Sequence, residues 1–307
     1  MDADLTRLRD WLVSANVPAM LEVVDRRIAG RFISERLNAD GLHRKTQQRI
    51  VSACRSYWVW MGRKGIVDDV KNPWDRQAPP KALNTALGDS TERQRAFADA
   101  EIVTLLNGPA DTELADLMRI CALSGMRIDE PYRLLVSDCA GGVFNIRRAK
   151  TKAGVRRVPI HPDIAAIVAR RTADKDPSDF LFPEPGALRA GRERSMAASQ
   201  RFVRYRRAVG VDDVVAGRKK SFVNFHSFRH WFITTAIRAG EPDHIVKQVV
   251  GQKLQGVTLG VYFAGDIPAR LRECVEAVRL PDGVVAPRLG VLPGPAKGRP
   301  RKPTEGI

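Results

Sequence analysis

Between Asn72 and Asp89 the helical pattern of the chain stops. The stretch NPWDRQAPPKALNTALGD holds three prolines and no sustained apolar period, which predicts an extended linker rather than a helix or strand. Everything before it reads as helix. Leu5, Leu8, Leu12 and Val13 form one short stripe, and Val23, Val24, Ile28, Phe32, Ile33 and Leu37 form a second that closes near Gly41. A third run begins at Thr46, with Ile50, Cys54, Tyr57, Trp58 and Met61 facing inward and Gly62 and Gly65 ending it. A chain of 307 residues broken in this way is long enough for two domains, each with its own core.

The second half mixes periods. Asp99 to Leu106 and Thr112 to Leu123 are predicted helices, the latter stopped at Ser124-Gly125, and a further helix is expected from Met126 through the segment MRIDE. From Gly141 to Ile160 the period drops to two. VFNIRRAK and VRRVPI read as short strands joined by a turn at Lys152-Ala153-Gly154, a basic hairpin with no acid. Helix returns over Pro162 to Arg171 and Arg194 to Val209. It returns again from His226, where Phe228, Trp231, Phe232, Thr235 and Ala236 recur at helical spacing until Gly240 and Pro242; a last helix fits Pro242 to Val250. From Pro281 the chain is Pro/Gly-rich and basic, and 282–307 is expected to be a disordered tail.

Charge narrows the function. Fifty-one Lys and Arg against thirty-five Asp and Glu leave a formal +16, which implies a polyanionic partner, with nucleic acid the default. No apolar run approaches the ~20 residues that span a bilayer, and MDADLTRLRD is not a secretory signal. Four scattered cysteines, Cys54, Cys121, Cys139 and Cys274, argue for a reducing cytoplasm, without disulfides, a zinc site or any other cofactor. In His226-Ser-Phe-Arg229 an imidazole and a guanidinium share the first turn of a helix, and Tyr262 follows downstream. Such a set suits phosphate-ester chemistry, although a histidine beside an apolar helix is more often structural.

Four boxes in order decide between these. SGMRIDE (124–130), the basic hairpin with Thr151-Lys152-Ala-Gly, HSFRH (226–230) and Gly251-Gln252 followed by Tyr262 together resemble the tyrosine recombinase, or phage integrase, family. Thr46, Trp58, Gly65 and Asn72-Pro73-Trp74 are similar to that family's core-binding domain. The resemblance implies a mainly α protein with a small antiparallel β-sheet. Residues 1–88 would be a helical, SAM-like core-binding domain with its linker (72–90). Residues 89–281 would be the tyrosine recombinase catalytic domain, of the DNA breaking-rejoining fold. No separate arm-binding domain is expected ahead of residue 1.

By the same resemblance Arg127 and Arg229 hold the nonbridging oxygens, where a planar guanidinium fork has no lysine equivalent. Tyr262 is the nucleophile, whose phenol, with an ordinary pKa near ~10, needs help, and His226 assists proton transfer. Glu130 orients the site. A hairpin lysine protonates the leaving 5′ oxygen. Lys152 fits its Thr-Lys-x-Gly pattern better, but Lys150 points to the same hairpin face. Gln252 stands where the family usually has His or Trp and offers neutral donors. Arg44, Lys45, Arg49, Arg55, Lys150, Arg156, Arg201 and Arg204 are candidate DNA contacts. So are Arg299 and Arg301, in a KGRPRK segment that resembles an AT-hook.

The implied activity is site-specific recombination through a 3′-phosphotyrosyl intermediate and a Holliday junction. Its partners would be double-stranded DNA with inverted core half-sites and, from a free monomer or dimer, a homo-tetramer at synapsis, with accessory DNA-bending or directionality factors compatible. The implied location is the cytoplasm, at the nucleoid. Two other readings share the sequence: a topoisomerase IB-like nicking-closing enzyme, and a recombinase-derived DNA-binding regulator, at which Gln252 hints.

Overall fold

The computed structural model describes residues 2–67, 71–79, 94–147, 154–185, 193–214, 221–253 and 268–286. The chain divides into two compact units, Met1–Gly88 and Asp89–Ile307.

The first unit is helical: α1 (Asp2–Ser14), a 3-10 turn (Leu21–Val23), α2 (Arg26–Phe32) running into a π-helical turn (Ile33–Asn38), and α3 (Arg44–Arg63). Asp25 starts α2 by accepting the Ile28 N–H at 2.7 Å, and His43 starts α3 by accepting that of Lys45 at 3.2 Å. Leu12, Phe32, Leu37, Ile50, Cys54, Trp58 and Met61 are buried together. On α1 the inward stripe differs from expectation by one residue. Trp11, three after Leu8, is buried, whereas Val13 turns outward, because each step rotates the side chain by about 100°.

The linker also begins later than its composition suggests. Trp74 is buried against the edge of Phe32, with ring centroids 6.0 Å apart. Asn72 accepts the Trp74 N–H at 3.0 Å and donates to the Arg55 carbonyl at 3.2 Å. This side-chain turn closes the segment onto α3 despite Pro73. Residues 80–90, the rest of the predicted linker, lie outside the described residues.

The second unit contains α4 (Asp99–Asn107), α5 (Thr112–Ser124), β1 (Val143–Ile146), β2 (Arg156–Pro159), α6 (Pro162–Thr172), α7 (Met196–Ala208), α8 (His226–Arg238), α9 (Asp243–Val250) and α10 (Pro268–Glu276). The two strands pair antiparallel with Phe144 opposite Val158 and Ile146 opposite Arg156. α5 is the central rod. It is buried on all sides except at Thr112 and Ala115 and packs on α4, α6 and α8, the pattern of a helix enclosed by others. Phe97, Phe202, Phe225 and Phe228 meet in tilted and edge-on contacts at the start of α8. Trp231 ties α8 to α4 by donating to Asp99 at 2.7 Å.

Three sequence expectations are corrected here. The helix expected after Gly125 does not form. The Glu130 carboxylate instead caps the Arg127 N–H at 2.9 Å, and Pro131 opens only a short 3-10 turn (Pro131–Arg133). Helix α10 was not expected, although Leu271, Cys274, Val275 and Val278 are buried at i, i+3, i+4 and i+7, which is a helical signal. The tail is held to this unit as far as Val285 rather than leaving at Pro281. Asn107 donates to the Gly283 carbonyl at 2.8 Å and accepts the Val285 N–H at 2.9 Å, while Arg119 donates to the Val285 carbonyl at 3.0 Å.

Among the described residues no helix is long and apolar enough to cross a membrane, and no cluster of His, Cys, Asp and Glu could hold a metal ion.

Candidate active site

The site grows from the end of α5. Gly125 terminates that helix at φ +61°, a left-handed conformation that favours glycine. A Cβ there would lie 2.8 Å from both Phe232 of α8 and Val250 of α9, so the absence of a side chain lets three helices converge. The Gly125 carbonyl accepts a hydrogen bond from Arg229 Nη1 at 2.8 Å. Arg229, on the first turn of α8, is only 1% exposed. Its buried Nη2 has no hydrogen-bond partner among the described residues. Burial, reinforced by the positive charges of Arg127 and Arg156, lowers its pKa to about 9, which still leaves it charged at neutral pH.

Arg127 is the more open of the two arginines, with a side chain 41% exposed. Its Nη1 donates to Glu130 Oε1 at 3.1 Å. Glu130 is buried and takes a two-pronged bond from Arg156: Nη1 to Oε1 at 3.1 Å and Nη2 to Oε2 at 2.9 Å. Burial alone would raise the Glu130 pKa. The hydrogen bonds and charge of Arg156, the Arg127 N–H and the Arg127 charge outweigh it and hold the carboxyl below its ordinary value. One carboxylate therefore faces three guanidinium groups, and the surplus of positive charge suits an incoming anion.

His226 opens α8. Its N–H donates to Asn224 Oδ1 at 2.8 Å, and the Asn224 N–H donates to Ser227 Oγ at 3.1 Å, a reciprocal cap that fixes the helix start. The residue is exposed, and its ring meets that of His230 edge-on, with centroids 4.9 Å apart. Partial burial, then the positive neighbours His230, Arg229 and Arg127, depress its pKa to about 4, so the imidazole is neutral at pH 7 and able to accept a proton. Arg127, Glu130, Arg229 and His226 thus lie within electrostatic reach of one another.

Gln252 follows α9 after Gly251. The N–H groups of Gly251 and Gln252 bond to the carbonyls of Gln248 and Lys247 at 3.1 and 2.9 Å, and Gly251 is left-handed at φ +66°. The backbone of Gln252 therefore closes a Schellman cap, and its side chain is exposed. Lys150, Lys152, Tyr262, Arg299 and Arg301 lie outside the described residues.

The expected DNA-contacting residues separate into groups. Arg44, Lys45 and Arg204 are exposed. Arg49 and Arg55 are exposed but paired, with Asp4 and with Asp75 at 2.5 Å respectively. Arg201 is held by Glu113 and, at 3.4 Å, by Asp111. Arg156 is placed inward rather than at the surface: its side chain is 6% exposed. Strand alternation accounts for this, since Arg156 shares a face with buried Val158 while Arg157 points the other way. That alternation was the available sequence signal. A second contact with no such signal is Ser195 donating to Asp129, which ties the loop before Glu130 to the start of α7.

Residues 95–266, more than half of the chain, match the phage integrase family. The tyrosine recombinase XerD of Neisseria meningitidis serogroup A is 28% identical over 251 residues, covering 75% of this chain and 80% of that protein. Two solved structures share the fold. The first is a lambda integrase dimer bound to a COC′ core site (TM-score 0.53, 16% identity, covering 83% of this chain and 95% of that one). The second is a lambda integrase tetramer bound to a Holliday junction (TM-score 0.53, 14% identity, covering 91% and 72%). The chain belongs to the phage integrase family and is a tyrosine-type site-specific DNA recombinase, with the mainly helical fold of these integrase structures.

Proposed function

We propose that this chain cleaves and rejoins DNA through a 3′-phosphotyrosyl intermediate, exchanging strands between paired core sites by way of a Holliday junction. The observation that carries this reading is the buried guanidinium of Arg229, anchored through Nη1 on the Gly125 carbonyl and, among the described residues, with neither a carboxylate in salt-bridge contact nor a partner for Nη2. A desolvated cationic donor with nothing to bond is costly unless a ligand supplies an anion. A phosphodiester gaining charge in a pentacoordinate transition state is such a ligand. Arg127, oriented by Glu130 and open to solvent, would take the second nonbridging oxygen.

In the proposed step the phenol oxygen of Tyr262 bonds to phosphorus as the bond to the 5′ oxygen breaks. The phenol proton passes to neutral His226, and the 5′ oxygen takes a proton from Lys152 or Lys150. The phosphotyrosyl ester conserves the bond energy, so rejoining needs no nucleotide. Gln252 serves as a neutral supporting donor. The chain would bind inverted half-sites and assemble as a tetramer, as lambda integrase does in the complex with a Holliday junction.

The test is covalent capture on a nicked suicide substrate. The wild type should leave an SDS-resistant adduct, and Tyr262→Phe should bind the same DNA without one. An undiminished adduct in that variant would move the nucleophile elsewhere. Relaxation of any supercoiled plasmid, without site preference, would instead favour a topoisomerase, and binding without any adduct in the wild type a regulator.

A further inference from the structure

Arg156 engages all three nitrogens of its side chain, on three separate segments. Nη1 and Nη2 clasp Glu130 at 3.1 and 2.9 Å, Nη1 also reaches the Gly154 carbonyl at 2.9 Å, and Nε reaches the Val249 carbonyl at 2.6 Å. Each acceptor has a place in the site. Glu130 orients Arg127. Gly154 lies two residues after Lys152, where the hairpin turn re-enters the described chain. Val249 lies in the last turn of α9, three residues before Gln252, where the helix leaves carbonyls unpaired and welcomes a cation.

Position sharpens the point. Arg156 pairs with Ile146 as the last register pair of the two strands before the turn, so it sits at the root of the segment that carries both lysines. With its side chain 6% exposed, it is too enclosed to touch DNA. A buried guanidinium spanning three segments fixes their spacing in a way that neither lysine nor an apolar residue could copy.

We infer that Arg156 is a positioning residue for leaving-group protonation: it locks the root of the lysine-bearing hairpin to the acid that orients Arg127 and to the end of α9. Proton delivery to the 5′ oxygen is thereby held in register with the phosphate clamp, which Glu130 keeps oriented through its own bonds to Arg127. This inference rests on the reading of a hairpin lysine as general acid.

The experiment compares single-turnover cleavage of an ordinary suicide substrate with one bearing a 5′-phosphorothiolate, using the full chain at matched DNA occupancy. A thiolate leaves without needing a proton, so only defects in proton delivery are relieved. Arg156→Gln should slow the ordinary substrate by about tenfold to a hundredfold, the scale of a misplaced catalytic group. On the sulfur substrate it should come within about threefold of the wild type, as expected when only one step is impaired. The double variant Arg156→Gln/Lys152→Ala should be no slower on the ordinary substrate than Lys152→Ala, with Lys150→Ala replacing it if that is the lysine sulfur rescues.

Should the glutamine variant fail to fold, Arg156→Lys is read in the same way; it keeps the charge beside Glu130 and loses the reach to Gly154 and Val249. A slow variant that sulfur does not rescue, an additive double variant, or an Arg156 variant at wild-type rate overturns the inference. If sulfur rescues neither lysine variant, the general-acid reading falls and this inference with it. Rescue of a lysine variant but not of Arg156 defeats the inference alone.

Discussion

The two units use arginine in opposite ways. In the first unit the guanidinium groups lie at the surface: Arg31 and Arg55, 40% and 59% exposed, pair with Glu35 and Asp75. Exposed pairs of this kind contribute about 0–1 kcal/mol each, so this unit is held by its aromatic core of Trp11, Phe32 and Trp74. In the second unit Arg171, Arg206 and Arg156 are 0%, 4% and 6% exposed, and each is paired with a carboxylate: Asp116, Asp212 and Glu130 respectively. Arg229 is equally enclosed, but among the described residues it has no carboxylate in salt-bridge contact and is held by the Gly125 carbonyl. The difference teaches that charge alone does not mark a phosphate site; a buried guanidinium held in place without a carboxylate to neutralise it does.

The largest expected effect tests that distinction. Arg229→Met should cut single-turnover cleavage by about a hundredfold to a thousandfold, as loss of a preorganised oxyanion donor does. Removing an incompletely paired buried charge should at the same time leave the melting temperature unchanged or raise it. Fast cleavage by this variant would break the comparison. Arg55→Met in the first unit should leave the cleavage rate at saturating DNA within about twofold, as for an exposed pair.

Glycine gives the next contrast. Gly125→Ala should cost about 2–4 kcal/mol, from left-handed strain together with overpacking against Phe232 and Val250. It should also slow cleavage, since the Gly125 carbonyl holds Arg229. Gly41→Ala in the first unit, at φ +59° with nothing within 4 Å of the added Cβ, should cost only about 1 kcal/mol, the strain alone. Denaturant titration of both variants separates strain from crowding.

A smaller effect follows from His226. Its folded pKa of about 4 lies below the ordinary 6.5. Between those values the unfolded chain binds a proton that the folded chain does not, so stability falls as pH drops from 6.5 toward 4. His226→Gln should flatten that part of the pH–stability curve, and an unchanged slope would place the loss elsewhere. The smallest effect belongs to the first unit's surface. Lys45→Ala should weaken DNA binding across sequences and reduce the log–log salt slope by about one, with the cleavage rate at saturating DNA unaltered.

Much of this architecture is legible in the chain because it is local. Helical periodicity marks α3, α5 and α8, Gly125 and Gly251 mark two left-handed helix ends, and alternation marks the two strands. The order of the four boxes is likewise a property of the sequence, and with it the family. Other features depend on partners distant in sequence. Residues 126–130 follow a helix and look able to begin another, but Glu130 is drawn into bonds with Arg156, so they form a turn instead. Trp74 sits in a stretch of linker composition, yet it joins a core because Phe32 offers its ring.

The same division applies to the basic residues. Composition counts 51 of them and so predicts a polyanionic partner, since long-range attraction depends on charge and little on placement. Which of them serve that partner is decided by burial and hydrogen bonding. Arg156 and Arg204 are equally basic in sequence; the fold encloses one among three acceptors and leaves the other at the surface. Tertiary structure alone makes that choice, because it alone sets which donors meet acceptors and which are withheld from water.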